Sequence, residues 1–181
     1  MFFMFGSLSN DSSDNSVKYL IDTNVFIQAK DSFYGMDIAP SFWKQIDERI
    51  RDGRLTLCRF IVDELTKGKD NLSRWIVNND YSEVILEESF YEDVLDNYEK
   101  ISDYVESHPK WSDENKKKFL KGADSWVIAV AMAVNGIVVT QEKKIDDANN
   151  TKKVKIPNVA EHFGVETMNI FTYMRKTNMI L

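Results

Sequence analysis

Three carboxylates, Asp22, Glu64 and Asp124, occupy sequence settings that could bring them to one place. Asp22 follows the apolar run Tyr19-Leu20-Ile21 and opens the polar turn Asp22-Thr23-Asn24 ahead of a helix. An acid at the C-terminal end of a parallel strand stands in the crevice where open α/β sheets hold their ligands. Glu64 lies one turn into an apolar helical pattern, with Ile61, Val62 and Leu65 on the side to be buried. Asp124 begins a long apolar helix after Gly122, where its charge suits the helix dipole. Glu142 follows the apolar residues 137–140, a second strand end, and Asp146 and Asp147 lie just beyond as lesser candidates. Separated carboxylates gathered at one spot make a site for a hard cation. Taken singly, each acid also reads as an ordinary residue: Asp22 or Asn24 as an N-cap, Asp124 as a helix-start residue, Glu64 as part of a solvated helix face. Their combination, in this order of strand and helix contexts, favours the metal site. The two histidines, His108 and His162, show no zinc-ligand spacing, and a single cysteine offers no pair.

The elements that must position these acids follow from hydrophobic periodicity. Residues 17–21 read as a first strand and 24–30 as a helix; residues 41–52 form another, with Phe42, Ile46 and Ile50 on one face and Gly53 as its stop. Residues 55–58 read as a short strand, 60–67 as a helix ending at Gly68, and 72–78 as a further helical stretch. Residues 83–86 suit either a short strand or the start of the next helix. Residues 91–106 carry Val94, Leu95, Tyr98, Ile101 and Val105 at helical spacing; 112–120 form a lysine-rich helix and 123–134 a strongly apolar one ended by Gly136. Residues 137–140 read as a buried strand. A capping-box-like helix start is expected at Asn158 to Glu161, after Pro157, then a last strand over 165–170 and a last helix over 171–176. Strands alternating with helices predict an α/β fold with a mostly parallel sheet flanked by helices on both faces.

A chain of 181 residues, 43% hydrophobic and 12% aromatic, suits one globular domain over residues 17–181, preceded by a Ser-, Asn- and Asp-rich flexible lead-in over residues 1–16. Cys58 is expected to be a buried thiol, and with no membrane-length apolar run and no basic n-region at the start the protein is expected in the cytoplasm. A net charge of -6 argues against a purely electrostatic nucleic-acid binder, yet suits an enzyme whose bound cations restore attraction for phosphate. Lysines cluster beside the acids: Lys67 and Lys69 after Glu64, Lys116, Lys117, Lys118 and Lys121 before Asp124, and Lys143 and Lys144 after Glu142. If the acids converge, Lys67, Lys69, Lys121 and Lys143 are candidates to guide a nucleic-acid backbone; otherwise they are solvated helix ends and loops. Trp43, Trp75 and Trp111 could stack bases, although packing is the commoner role of such rings.

Four segments resemble the sequence blocks of PIN-domain nucleases: VKYLIDTNVF (17–26), IVDEL (61–65), ADSWVIAVA (123–131) and IVVTQE (137–142). The look is closest to toxin nucleases of the VapC kind and to a group of uncharacterised PIN-like relatives, the latter also through KIPNVAEHFGVETMNI (155–170). The resemblance implies a PIN-like three-layer fold and a Mg2+- or Mn2+-dependent ribonuclease with Asp22, Glu64 and Asp124 as metal ligands. It makes Asn24 and Thr140 polar residues that orient those carboxylates. Many family members carry Asp in the fourth block where this chain has Glu142, one methylene longer, so that one metal or two remain open. The family chemistry is attack of water on phosphorus, leaving a 5′-phosphate and a 3′-hydroxyl, with no nucleophilic side chain. The resemblance further implies an RNA substrate, an antitoxin partner of a type II toxin–antitoxin pair whose tail covers the acids, and a homodimer in common with many relatives.

Other classes meet specific obstacles. A haloacid-dehalogenase-type phosphatase needs a second Asp two positions after the first, where this chain has Asn24. A response-regulator receiver needs an adjacent acidic pair and a mid-chain phospho-acceptor strand. The non-enzymatic alternative is a PIN-like scaffold that binds RNA or a protein partner without cutting; such a scaffold need not bind Mn2+.

Overall fold

The structure, a computed structural model, describes residues 17–87, 91–146 and 151–181. The expected lead-in over residues 1–16, and Asp147, lie outside the described residues.

The sheet is parallel. Strand β1 (Tyr19–Ile21) pairs with β2 (Ile137–Val139), which pairs with β3 (Thr167–Met168). Single bridges extend this ladder on the β1 side, Leu20 to Thr56 and Cys58 to Leu86. The expected strand over 55–58 is therefore a short extended piece continuing the sheet beyond β1, whereas in the undecided stretch 83–86 the Val84 and Ile85 amides close a turn on the Tyr81 carbonyl and only Leu86 bridges to Cys58. The register pairs Ile21 with Val139, so the residues following each strand, Asp22 and Thr140, emerge side by side at the same edge. The Asp22 amide donates to the Val139 carbonyl at 3.0 Å, which fixes that alignment.

Among the described residues the helices are α1 (Thr23–Gln28), α2 (Pro40–Arg51), α3 (Arg59–Thr66), α4 (Asn71–Asn79), α5 (Glu92–Ser107), α6 (Asp113–Lys121), α7 (Ala123–Val134), α8 (Ile156–His162) and α9 (Ile170–Lys176). They flank the small sheet, giving an α/β architecture. Helix α7 is apolar nearly all round and therefore has no solvent face to keep; Val127, Ile128, Ala129, Val130 and Ala131 are fully buried between the sheet and helix α5. Asn135 ends α7 in the left-handed region, and Gly136 enters β2. A Cβ on Gly136 would fall 2.6 Å from the Leu20 side chain and 3.0 Å from the Lys18 carbonyl, so only glycine lets β2 approach β1 there. On α2 the expected stripe is buried, with Phe42, Ile46 and Ile50 each 1% exposed.

Three local expectations are corrected. Helix α1 does not run on to Lys30 but loosens into a single π-helical turn over Ala29–Phe33. Helix α8 starts at Ile156, with Pro157 inside its first turn, so Asn158 is not its cap. The Asn158 amide instead accepts from the Ile145 amide at 3.0 Å and donates to the Ile145 carbonyl at 2.9 Å, tying down the segment after β2. The last strand covers only Thr167–Met168, because Asn169 caps α9 by accepting from the Thr172 amide. No helix of the described residues is long and apolar enough to cross a membrane.

Candidate metal centre

Asp22, Glu64, Asp124 and Glu142 come from the end of β1, helix α3, the first turn of α7 and the segment after β2, and the fold brings their charges within reach of one another. Asp22 is 1% exposed. Burial raises its carboxyl well above the usual carboxylate range, and the charges of Asp124 and Glu142 push the same way. The Thr140 hydroxyl opposes this shift, donating to Asp22 Oδ2 at 2.8 Å. Asp124 is pushed up to about 7, first by burial and then by the charges of Glu142 and Glu64, with Lys155 and Lys118 pulling it back. These are the mutual signatures of an acidic cluster lacking full compensation.

The polar groups expected beside the acids are there. Asn24 accepts from the Gln141 amide at 2.8 Å and donates to Thr140 Oγ1 at 3.3 Å. Thr140 Oγ1 also accepts from the Glu142 amide at 3.1 Å. One hydroxyl and one carboxamide thus lock the β1 and β2 ends into a single rim.

The two glutamates are engaged differently. Glu64 Oε2 accepts from the Thr23 hydroxyl at 2.8 Å and Oε1 from the Ala123 amide at 3.2 Å, which joins α3 to the starts of α1 and α7. A Cβ on Gly122 would stand 3.2 Å from Glu64 Oε1, so the glycine before Asp124 leaves room for that carboxylate. Glu142 Oε1 accepts from Lys155 Nζ, and Oε2 from the Ile156 amide at 2.9 Å. Asp124, Glu142, Lys118, Lys153 and Lys155 line one cleft, with Asn115 and Phe119 behind them.

The donor chemistry suits a hard divalent cation: carboxylates and hydroxyls, without thiol or imidazole. As the side chains stand, no three His, Cys, Asp or Glu residues among those described are grouped to hold a metal ion. Glu64 and Glu142 turn to protein donors, leaving Asp22 and Asp124 as the pair whose repulsion a cation would relieve.

The remaining candidates divide. Lys67, Lys69, Lys121 and Lys143 are all exposed. Lys143 lines a second groove with Glu142, Thr140 and Gln141, next to the rim, whereas Lys144 pairs with Glu161 and Lys116 donates to the Glu106 carbonyl. Asp146 is exposed beyond the rim. Trp43 and Trp111 are buried and Trp75 packs edge-on against Trp43, the packing role. His162 stacks on Tyr104 at 3.7 Å and His108 on Trp111 at 3.7 Å. Cys58 is buried. Sequence reasoning missed Thr23 and Lys155. Thr23 carried a signal, its position inside the Asp22-Thr23-Asn24 turn; Lys155 carried none, since its partner lies in another segment.

No curated protein and no solved structure matches the chain. The model of a family described as a domain of unknown function (DUF4411) matches residues 19–181, which hold every strand and helix of the site, and the chain belongs to that family.

Proposed function

We propose that the chain is a PIN-like, Mg2+- or Mn2+-dependent endoribonuclease. The observation that carries this reading is the pair Asp22 and Asp124, delivered by a strand end and a helix start to the same edge of a parallel sheet, desolvated and raised toward neutrality. Asp22 and Asp124 would hold the cation, with Glu64 at its flank and Glu142 completing the acidic ring. A divalent cation there supplies Lewis-acid stabilisation of a phosphate and a water of lowered pKa. The chain's own residues do the rest: Thr140 and Asn24 fix the Asp22 carboxylate, Thr23 fixes Glu64, and Lys118, Lys153 and Lys143 offer positive charge to an RNA backbone on either side.

The resemblance to VapC-like nucleases supports, as parts of the same proposal, a toxin role in a type II pair, an antitoxin that covers the acidic cleft, a cytoplasmic location and a homodimer. A second reading, a PIN-like scaffold that binds RNA or a protein without cutting it, draws support from Glu142, whose two oxygens are both occupied by protein donors.

The two separate in one experiment. The purified protein is incubated with a mixed RNA pool in Mn2+, Mg2+ or EDTA, beside Asp124→Asn. The nuclease reading expects cutting that needs the cation and is lost in the variant. A folded protein that leaves every RNA intact supports the scaffold.

A further inference from the structure

Lys155 is the one cation in ion-pair contact with the acidic ring among the described residues. Its ammonium meets Glu142 Oε1, while the backbone amide of the next residue, Ile156, holds Oε2 at 2.9 Å. Both oxygens of Glu142 are therefore spent within one dipeptide. The pair is shielded but not sealed: the Lys155 side chain is 29% exposed and that of Glu142 16% exposed. Lys155 and Glu142 line the same cleft as Asp124, and the lysine's charge is felt at that carboxyl.

Resting on the proposed divalent-cation site, we infer that the Lys155 ammonium takes the place of a second divalent cation: the centre holds one metal, between Asp22 and Asp124, and Lys155, anchored by Glu142, supplies the other positive charge to the phosphate. Two-cation phosphodiester centres clamp the attacking and leaving oxygens with charge on both sides. A lysine ammonium is a compact point charge that binds phosphate without needing ligands of its own. Here the carboxylate that would coordinate a second ion is the one holding the lysine. The longer glutamate at this position accounts for the arrangement, since its carboxylate spans from the end of β2 to the start of α8. The neighbouring Lys118 and Lys153, both exposed on the cleft, extend the same positive wall outward and favour a polyanion over a single phosphate.

Mn2+ titration followed by electron paramagnetic resonance counts bound ions without using activity. Wild type is expected to bind one Mn2+ per chain, Lys155→Met to bind two, and Lys155→Arg, which keeps the charge, to return to one. RNA cleavage by Lys155→Met at saturating Mn2+ is expected to fall at least about tenfold and to be rescued in part by Lys155→Arg, on the scale of losing one charge-stabilising contact. Two ions in wild type, or one ion and unaltered cleavage in Lys155→Met, would overturn the inference while leaving the metal site standing. No Mn2+ bound by wild type would overturn the site itself and the inference with it. Circular dichroism of each variant confirms that it folds, and Lys155→Arg carries the comparison if Lys155→Met does not.

Discussion

The Thr140 hydroxyl donates a hydrogen bond of 2.8 Å to Asp22 Oδ2, although 118 residues separate the two in the chain. The contact follows from strand register alone: Ile21 lies opposite Val139, so the next residues meet at the sheet edge. The donated bond stabilises the charged form of a carboxylate that burial otherwise pushes toward neutrality.

Thr140→Val keeps the shape of the side chain and removes that donor, together with an acceptor for the Asn24 amide and the Glu142 amide. The variant is expected to lose about 1–3 kcal/mol of stability, the usual range for orphaning buried partners. Its Mn2+ affinity is expected to fall about tenfold as the Asp22 carboxyl rises further, one pKa unit being worth a factor of ten in the ionised fraction. Thermal unfolding and Mn2+ titration of the same preparation test both.

Asp22 and Asp124 also fix how stability depends on pH. Both are raised in the folded chain, so between their unfolded values near 3.8 and the folded value of about 7 for Asp124 the native state binds more protons than the unfolded state. Stability without metal therefore decreases as pH rises through that window. Asp124→Asn removes the charge, and at pH 8 the metal-free variant is expected to be more stable than wild type by a few kcal/mol, on the order of the pKa shift times about 1.4 kcal/mol. Urea unfolding from pH 4.5 to 8 in EDTA measures it; a wild type that gains stability across this range would contradict the assignment.

Gly122→Ala probes Glu64 from the opposite side. The backbone there is extended, with φ −85° and ψ −178°, so alanine meets no torsional strain. Its Cβ would stand 3.2 Å from Glu64 Oε1 and 3.3 Å from the Lys118 carbonyl, and the carboxylate, being the softer neighbour, has to move. Cleavage is expected to fall about tenfold from misplacing a positioned group, with a stability loss of about 1 kcal/mol or less. Cleavage kinetics beside a melting curve separate the two effects.

Much of the frame was legible before folding because it rests on local pattern. Helix α7, with its long apolar run, and strand β1, followed at once by Asp22, declare themselves through burial and polarity, and the acids at their ends come with them. What local pattern does not carry is a partner from elsewhere. Lys155 reads as a loop lysine until α8 brings it to Glu142. Asn158 looks like a helix cap, but Pro157 fits inside the first turn of α8, which frees the Asn158 amide to hold Ile145. The last strand is two residues shorter at each end than the expected 165–170, and at its C-terminal end Asn169 turns instead to cap α9. Among the lysines adjacent to each acid in the chain, Lys118 lines the cleft with Asp124 and Lys143 lines the groove beside the rim, while Lys153 and Lys155 reach that cleft from a distant segment.

In the proposed reaction water, assisted by a cation held at Asp22 and Asp124, hydrolyses RNA. Cleavage in H2 18O with Mn2+, followed by mass spectrometry of the products beside Asp22→Asn, reports where the attacking oxygen comes from. The expected products are 5′-phosphates carrying one solvent oxygen per cut, with none from the variant or in EDTA. Products ending in a 2′,3′-cyclic phosphate, or cutting that persists in Asp22→Asn, would contradict the proposed reaction.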